Sequence, residues 1–221
     1  MGGDFAGDGA EGFAPVESAV FAALSKGFSR PTVGLALSLA DGSFATRLES
    51  LFAAGQSETV DRALRLLREY CLACAPKEAE QVRLELEVDF NRLFVGPGKV
   101  LAPPYESYYR SGGAQGGRLR TQDEKDVKEA YRRFGLALPE DCVELSDHIA
   151  VELEFLALLH GRRVEAARQG DDAEAARLTE AAVRFEEDHL GTWVHGFADD
   201  VRSFAQTPFY ASLALLVSEM L

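Results

Sequence analysis

Three short stretches hold residue types that can do chemistry. Asp147-His148, with Glu152 one helical turn later, offers two carboxylates and an imidazole. Glu186-x-x-His189 has the spacing that a di-metal carboxylate bundle uses, and Cys71-x-x-Cys74 has that of a redox pair or half a zinc site. A di-metal bundle needs a second Glu-x-x-His. The other three histidines, His148, His160 and His195, follow Leu145, Ala157 and Thr192 at that spacing. The half-motif reads as acidic surface, with His189 partly buried one turn before Trp193. No second Cys pair or His pair completes a zinc site, and both cysteines fall on an apolar helix stripe, where cysteine packs as a small hydrophobe. Gly112 to Gly117 lacks the Lys and Ser/Thr of a phosphate loop. A metal-dependent bundle enzyme using Glu152, Glu186 and His189 stands as the alternative reading.

Asp147-His148 is the polar pair that invites a role. A carboxylate at a helix start is favoured by the free backbone N–H groups, which suffices to explain Asp147. A protonated imidazole is disfavoured there, and Glu152 on the same face would offset that cost. His148, Glu152, Phe155 and Leu159 form a strip, polar above and apolar below, suited to floor a peptide groove.

The elements that carry these residues are helical. Val82, Leu86, Phe90 and Leu93 recur on one face of a helix expected over 77–95, which Gly96-Pro97-Gly98 stops. An extended loop follows with Pro103, Pro104, Tyr105, Tyr108 and Tyr109. Aromatics in a loop either fold inward or bind something, and most of these are expected to pack inward. Val16, Val20, Leu24 and Phe28 mark a first helix, 32–54 a less regular helical region, and Val60, Leu64, Leu67, Cys71 and Cys74 a clean stripe. Thr121 and Glu124 have capping-box spacing, and Gly135 closes that helix. A helix opening at Ser146-Asp147-His148 pairs through Gly170-Asp171 with another. Thr207-Pro208 starts the last. No segment alternates with period two. The expected fold is all-α, a single multi-helix bundle over 15–221 with irregular links at 112–117 and 136–144, after a flexible tail over 1–14.

The 221 residues carry a net charge of −13, which argues against nucleic acid and anionic membranes and favours a cationic partner. Three cysteines make no disulfide framework, no run approaches a membrane span, and the first basic residue is Lys26, so a cytoplasmic protein without stable membrane insertion is expected.

Two blocks, F-N-R-L-F-V-G-P-G with A-P-P-Y-E-S-Y-Y and E-L-S-D-H-I-A-V-E-L-E-F-L, are supported by E-E-D-H-L…W and T-P-F-Y-A-S-L-A. In that order they make the chain resemble the TorD/DmsD family of redox-enzyme maturation chaperones, relatives of the NarJ group. The resemblance implies a non-catalytic helical chaperone without a cofactor. Such a chaperone binds the twin-arginine signal peptide and apoprotein of a molybdopterin oxidoreductase and delays export until the cofactor is loaded. It maps peptide contact onto Phe90, Leu93, Phe94, Gly98, Asp147 and His148, with Pro103, Pro104, Tyr105 and Ser107 in the adjoining loop. Gly98 stands where some members carry tryptophan, and Leu145 where proline often precedes the Asp-His pair. A groove floored by Phe90, Leu93 and Phe94 and rimmed by Gly96, Pro97 and Gly98 would take the apolar run of such a peptide. Glu87, Asp89, Glu106 and Asp147 would flank its arginines, and Glu152 would extend the wall. A monomer or a domain-swapped dimer is compatible with the two glycine- and proline-containing links.

Overall fold

The computed structural model describes residues 16–52, 57–139 and 142–221. Among these the chain forms eleven α-helices and no β-strand, with Tyr105 and His148 in an isolated antiparallel bridge. The all-α expectation is met. The expected tail over 1–14 lies outside the described residues, as do 53–54 and 140–141 of the expected irregular regions. The chain groups into two compact units interleaved along the sequence. One takes the chain up to Ser25 together with Tyr105–Val194, and the other takes Lys26–Pro104 with His195–Leu221.

In the second unit the less regular helical region expected over 32–54 holds two helices, α2 (Val33–Ala40) and α3 (Ser43–Leu51). Thr32 caps α2 by accepting from the Leu35 N–H at 3.1 Å, and Asp41 accepts from the Ser43 N–H at 2.8 Å to start α3. Ser57 caps α4 (Glu58–Cys74) in the same way, on the Val60 N–H. Cys71 and Cys74 lie on the buried stripe of α4 beside Leu67 and Tyr70, and burial pushes the Cys71 thiol up to about 11. The core reading of this pair therefore holds: a thiol with that affinity for its proton is a poor nucleophile and metal ligand. This helix packs on α11 (Pro208–Met220), whose Phe209 ring centroid lies 5.7 Å from Phe44 and 6.3 Å from Tyr70.

The helix before Gly96-Pro97-Gly98 is shorter than its periodicity predicts and does not end as an α-helix. Helix α5 spans Ala79–Phe90 and continues as a π turn over Asn91–Val95, closed by the Gly96 N–H on the Asn91 carbonyl at 2.7 Å. A π turn holds an extra residue and shifts the faces beyond it. The shift puts Leu93 and Phe94 in the core while Arg92 stays partly exposed and Val95 exposed. Gly96 and Gly98 both sit at φ +102°, where a side chain would be strained, so the reversal out of the π turn depends on them.

In the first unit, Thr121 starts α7 (Gln122–Arg133) by accepting from the Asp123 N–H and donating to the Asp123 carboxylate at 2.6 Å. Asp123, not the expected Glu124, therefore closes this cap. Helices α8 (Ile149–Arg168) and α9 (Asp172–Asp188) meet through the turn at Gly170 and pack on each other. The rings of Tyr131, Phe155 and Phe185 fill their interface with α7, at centroid separations of 4.7 and 4.8 Å for Phe155 with Tyr131 and Phe185. The glycine-rich link is an ordered turn: Gly113–Gln115 is 3₁₀, and the Arg118 N–H donates to Ser111 Oγ at 2.7 Å.

Candidate functional site

The residues singled out for peptide contact divide between the units. Phe90, Leu93, Phe94, Gly96, Pro97, Gly98 and Pro104 fall in one, and Tyr105, Ser107, Asp147, His148 and Glu152 in the other.

In the unit holding α5, Phe90, Leu93 and Phe94 are core residues. They are 2%, 0% and 5% exposed, and Phe94 lies within ring contact of Phe28, Phe90, Phe197 and Tyr210 at 5.1 to 6.4 Å. Pro104 is buried as well, and Ala102 anchors the loop through its N–H to the Leu93 carbonyl at 2.9 Å. What α5 and its π turn expose are Leu84, Val88 and Val95, with Pro97 and Gly98 on the rim. An open cavity of about 370 Å³ lies there, lined by Val88, Arg92, Gly96, Pro97, Lys99 and Leu101.

The acids proposed as flanks have internal duties. Asp89 is 1% exposed and accepts from the backbone N–H of Gln206 (3.0 Å) and Thr207 (2.7 Å) and from the Thr207 hydroxyl (2.9 Å). It thereby caps α11, the task that Thr207 itself was expected to perform. Arg92 pairs with it at 3.2 Å and also reaches the Phe204 carbonyl. Glu87 pairs with Arg83 at 2.7 Å and with Arg30 at 3.5 Å.

In the other unit, helix α6 (Glu106–Arg110) begins where the proline loop ends. Asp147, fully buried, accepts from the Ser107 N–H at 2.9 Å, and its carbonyl accepts from the Glu106 N–H at 3.0 Å. Burial raises the affinity of this carboxyl for its proton, partly opposed by those bonds to Ser107. His148 caps α8: its Nδ1 accepts from the Ala150 N–H at 3.1 Å, so any proton of the neutral ring sits on Nε2, which faces Glu144 at 3.7 Å. Full burial pulls its pKa down to about 4, against the weaker pull of Glu144. The tautomer and the cap thus remove the objection to a histidine at a helix start, because the ring is neutral. Glu152 does not offset a positive His148; it bonds to Trp193 Nε1 at 3.2 Å.

The tyrosines are half-buried. Tyr105 packs edge-on to His148 and donates to Glu144 at 3.1 Å, and Tyr109 stacks on Trp193 at 5.6 Å. Glu106 was read only as a flank, and Trp193 only as the residue one turn after His189. Both belong to a buried polar group with His189, whose Nδ1 lies 3.1 Å from Glu106. Glu186 turns instead to His160, at 3.8 Å. Among the described residues, no three His, Cys, Asp or Glu side chains are grouped to hold a metal ion.

The depressed His148 pKa makes a pH prediction. An unfolded histidine takes up its proton near 6.5 and the folded one only near 4, so stability is complete above 6.5 and falls as pH drops through that window. His148→Asn keeps an acceptor at the cap. Urea unfolding at pH 7 and pH 4.5 is expected to show that this variant escapes roughly 2–3 kcal/mol of the acid loss seen in the parent. An equal loss in both would mean that His148 is not held neutral by the fold.

Comparison with known proteins places the chain among relatives. The family pattern described as nitrate reductase delta subunit matches residues 54–199. The chain is similar to Chaperone protein TorD of Photobacterium profundum, 33% identical over 143 residues covering 64% of this chain and 63% of that one. It is also similar to that of Vibrio atlanticus, 32% identical over 163 residues covering 74% and 72%. The chain spans less than two thirds of the length of the Photobacterium relative. A solved structure described as a redox enzyme maturation protein from Archaeoglobus fulgidus superposes with a TM-score of 0.50 at 20% identity, covering 97% of each chain, and supports the fold. No described helix is long and apolar enough to cross a membrane.

Proposed function

Because the chain belongs to the nitrate reductase delta subunit family, we propose that it is a redox-enzyme maturation chaperone. It binds the twin-arginine signal peptide and apoprotein of a molybdopterin oxidoreductase in the cytoplasm, performs no catalysis, and holds its client until the cofactor is in place. The observation that carries this reading is the family match, which spans both sequence blocks singled out above. The geometry lends it support. The apolar run of such a peptide needs exposed apolar surface, and Leu84, Val88 and Val95 beside the Gly96-Pro97 cavity offer it. In this reading Phe90, Leu93 and Phe94 are the packed floor beneath that surface. Asp147, His148 and Ser107 fix the loop and helix starts, acting as positioning residues. The charge of −13 favours a basic peptide at long range.

Calorimetric titration with a panel of twin-arginine peptides from molybdoenzymes tests the proposal. Saturable binding of at least one is expected at micromolar affinity or tighter, weakened by replacing the arginine pair with glutamine and by salt. No binding of any peptide, nor of an apoenzyme, would overturn it.

A further inference from the structure

Helices α6, α8 and α9 enclose a group of buried ionisable side chains. Glu106, Asp147 and Glu152 are each 0% exposed. Glu106 receives Arg110 at 3.1 Å and His189 at 3.1 and 3.3 Å. Glu152 receives the Trp193 indole N–H on one oxygen, while its Oε1 and Asp147 Oδ1 have no hydrogen-bond partner. Other groups around them are already committed. The Tyr131 hydroxyl of α7 donates to the Ser146 carbonyl, and His148 Nδ1 accepts from the Ala150 N–H. Arg110 is shared among Glu106, Asp123 of α7, the Asp188 carbonyl and Thr192. The Asp123 carboxylate of α7 adds a further negative charge beside Glu106 and Asp147. Three buried acids thus face one partly exposed guanidinium and one imidazole, and full ionisation would leave a carboxylate without solvent or counter-charge.

We propose that Glu152 is a carboxylic acid at neutral pH, sharing its proton with Glu106, and that this pair with His189 is a pH-sensitive latch holding α6 to α8 and α9. Burial pushes the Glu152 carboxyl well above the usual carboxylate range, and the charges of Glu106 and Asp147 push it further. Burial raises Glu106 too, opposed by His189 and Arg110. Such groups hold their protons more tightly folded than unfolded, so their stabilisation is full at low pH and is lost as pH rises through the folded value. The latch is tightest in acid, below the ordinary carboxyl range, and loosens progressively as pH rises toward the folded value. What it releases is Glu106–Arg110, the helix that ends the proline–tyrosine loop. The latch stands whether or not the chain binds a signal peptide.

Two measurements test it. Infrared spectroscopy of the intact protein at pH 7 is expected to show a buried protonated-carboxyl band that Glu152→Gln abolishes. Hydrogen exchange over residues 105–112, corrected for the intrinsic pH dependence, is expected to lose protection by up to about tenfold per pH unit as pH rises from the ordinary carboxyl range toward the folded midpoint, and to level off above it. Glu152→Gln, which keeps a permanent donor in place of the acid proton, is expected to hold that protection flat. Absence of the band in the parent protein overturns the proposal, even if the variant fails to fold. An exchange profile in Glu152→Gln matching the parent's does so as well.

Discussion

Replacing Asp89 with alanine is expected to destabilise the protein by about 3–5 kcal/mol, more than a surface carboxylate could contribute. The sequence offered Asp89 as a surface acid beside a groove, where its loss would cost a few tenths of a kcal/mol. Its place in the fold is different. One carboxylate oxygen takes the Thr207 N–H and hydroxyl and shares the Gln206 N–H, while the other meets Arg92. These N–H groups belong to the start of α11, a helix whose Phe209, Tyr210, Leu213, Leu216 and Val217 are all 0% exposed. Removing the acid strands the amide donors of Gln206 and Thr207 beside that core and leaves Arg92 with the Phe204 carbonyl alone, and each orphaned donor costs about 1–3 kcal/mol. Asp89→Asn keeps an acceptor oxygen but loses the charge that favours a helix N-terminus, so a smaller loss of about 1–2 kcal/mol is expected. Urea unfolding followed by circular dichroism checks both. Equal midpoints for Asp89→Ala and the parent would show that water replaces the cap without penalty.

The contrast between Asp89 and its neighbours shows what the sequence could convey. Helix existence was legible where apolar residues kept a 3.6-residue period, as in α4, and where a Thr with a cap signature stood before it, as at Thr121. The all-helical class followed from that alone. What periodicity could not convey is partnership. Asp89 bonds residues more than a hundred positions away, and nothing local to α5 marks it as the cap of α11. Thr207-Pro208 carries a cap signature, yet its hydroxyl donates to Asp89 and caps nothing itself. The π turn was hidden for a related reason. Its register shift depends on Leu93 and Phe94 both finding a core, and an α-helical template assigns them a face before that core exists. The same gap explains Glu106 and Trp193. Each reads as ordinary in its own helix, and only α6, α8 and α9 together make them a buried pair of acids with an indole and an imidazole.

Phe94→Ala is expected to cost about 3–5 kcal/mol of stability, and Val88→Ser less than about 0.5 kcal/mol, with the opposite ranking in direct effect on peptide binding. Phe94 is 5% exposed and touches four aromatic rings, so truncation leaves a cavity that a ring cluster cannot collapse to fill. Phe94→Leu fills part of that volume and should cost about half as much. In both variants, peptide binding should fall only as far as the folded population falls, because the ring supports the surface from below. Val88 is 65% exposed at the edge of the Gly96-Pro97 cavity, so replacing it removes contact area from the proposed surface without disturbing the core. Losing one such apolar contact is worth about 1–1.5 kcal/mol, which reads as roughly tenfold weaker binding. Unfolding curves and titrations on the same preparations separate the two effects. If Phe94→Leu keeps its unfolding midpoint yet abolishes binding while Val88→Ser binds like the parent, the phenylalanines themselves open to receive the peptide. The surface would then lie in the cluster of Phe90, Leu93 and Phe94, as the sequence blocks first suggested, and Val88 would be a bystander on an outer face.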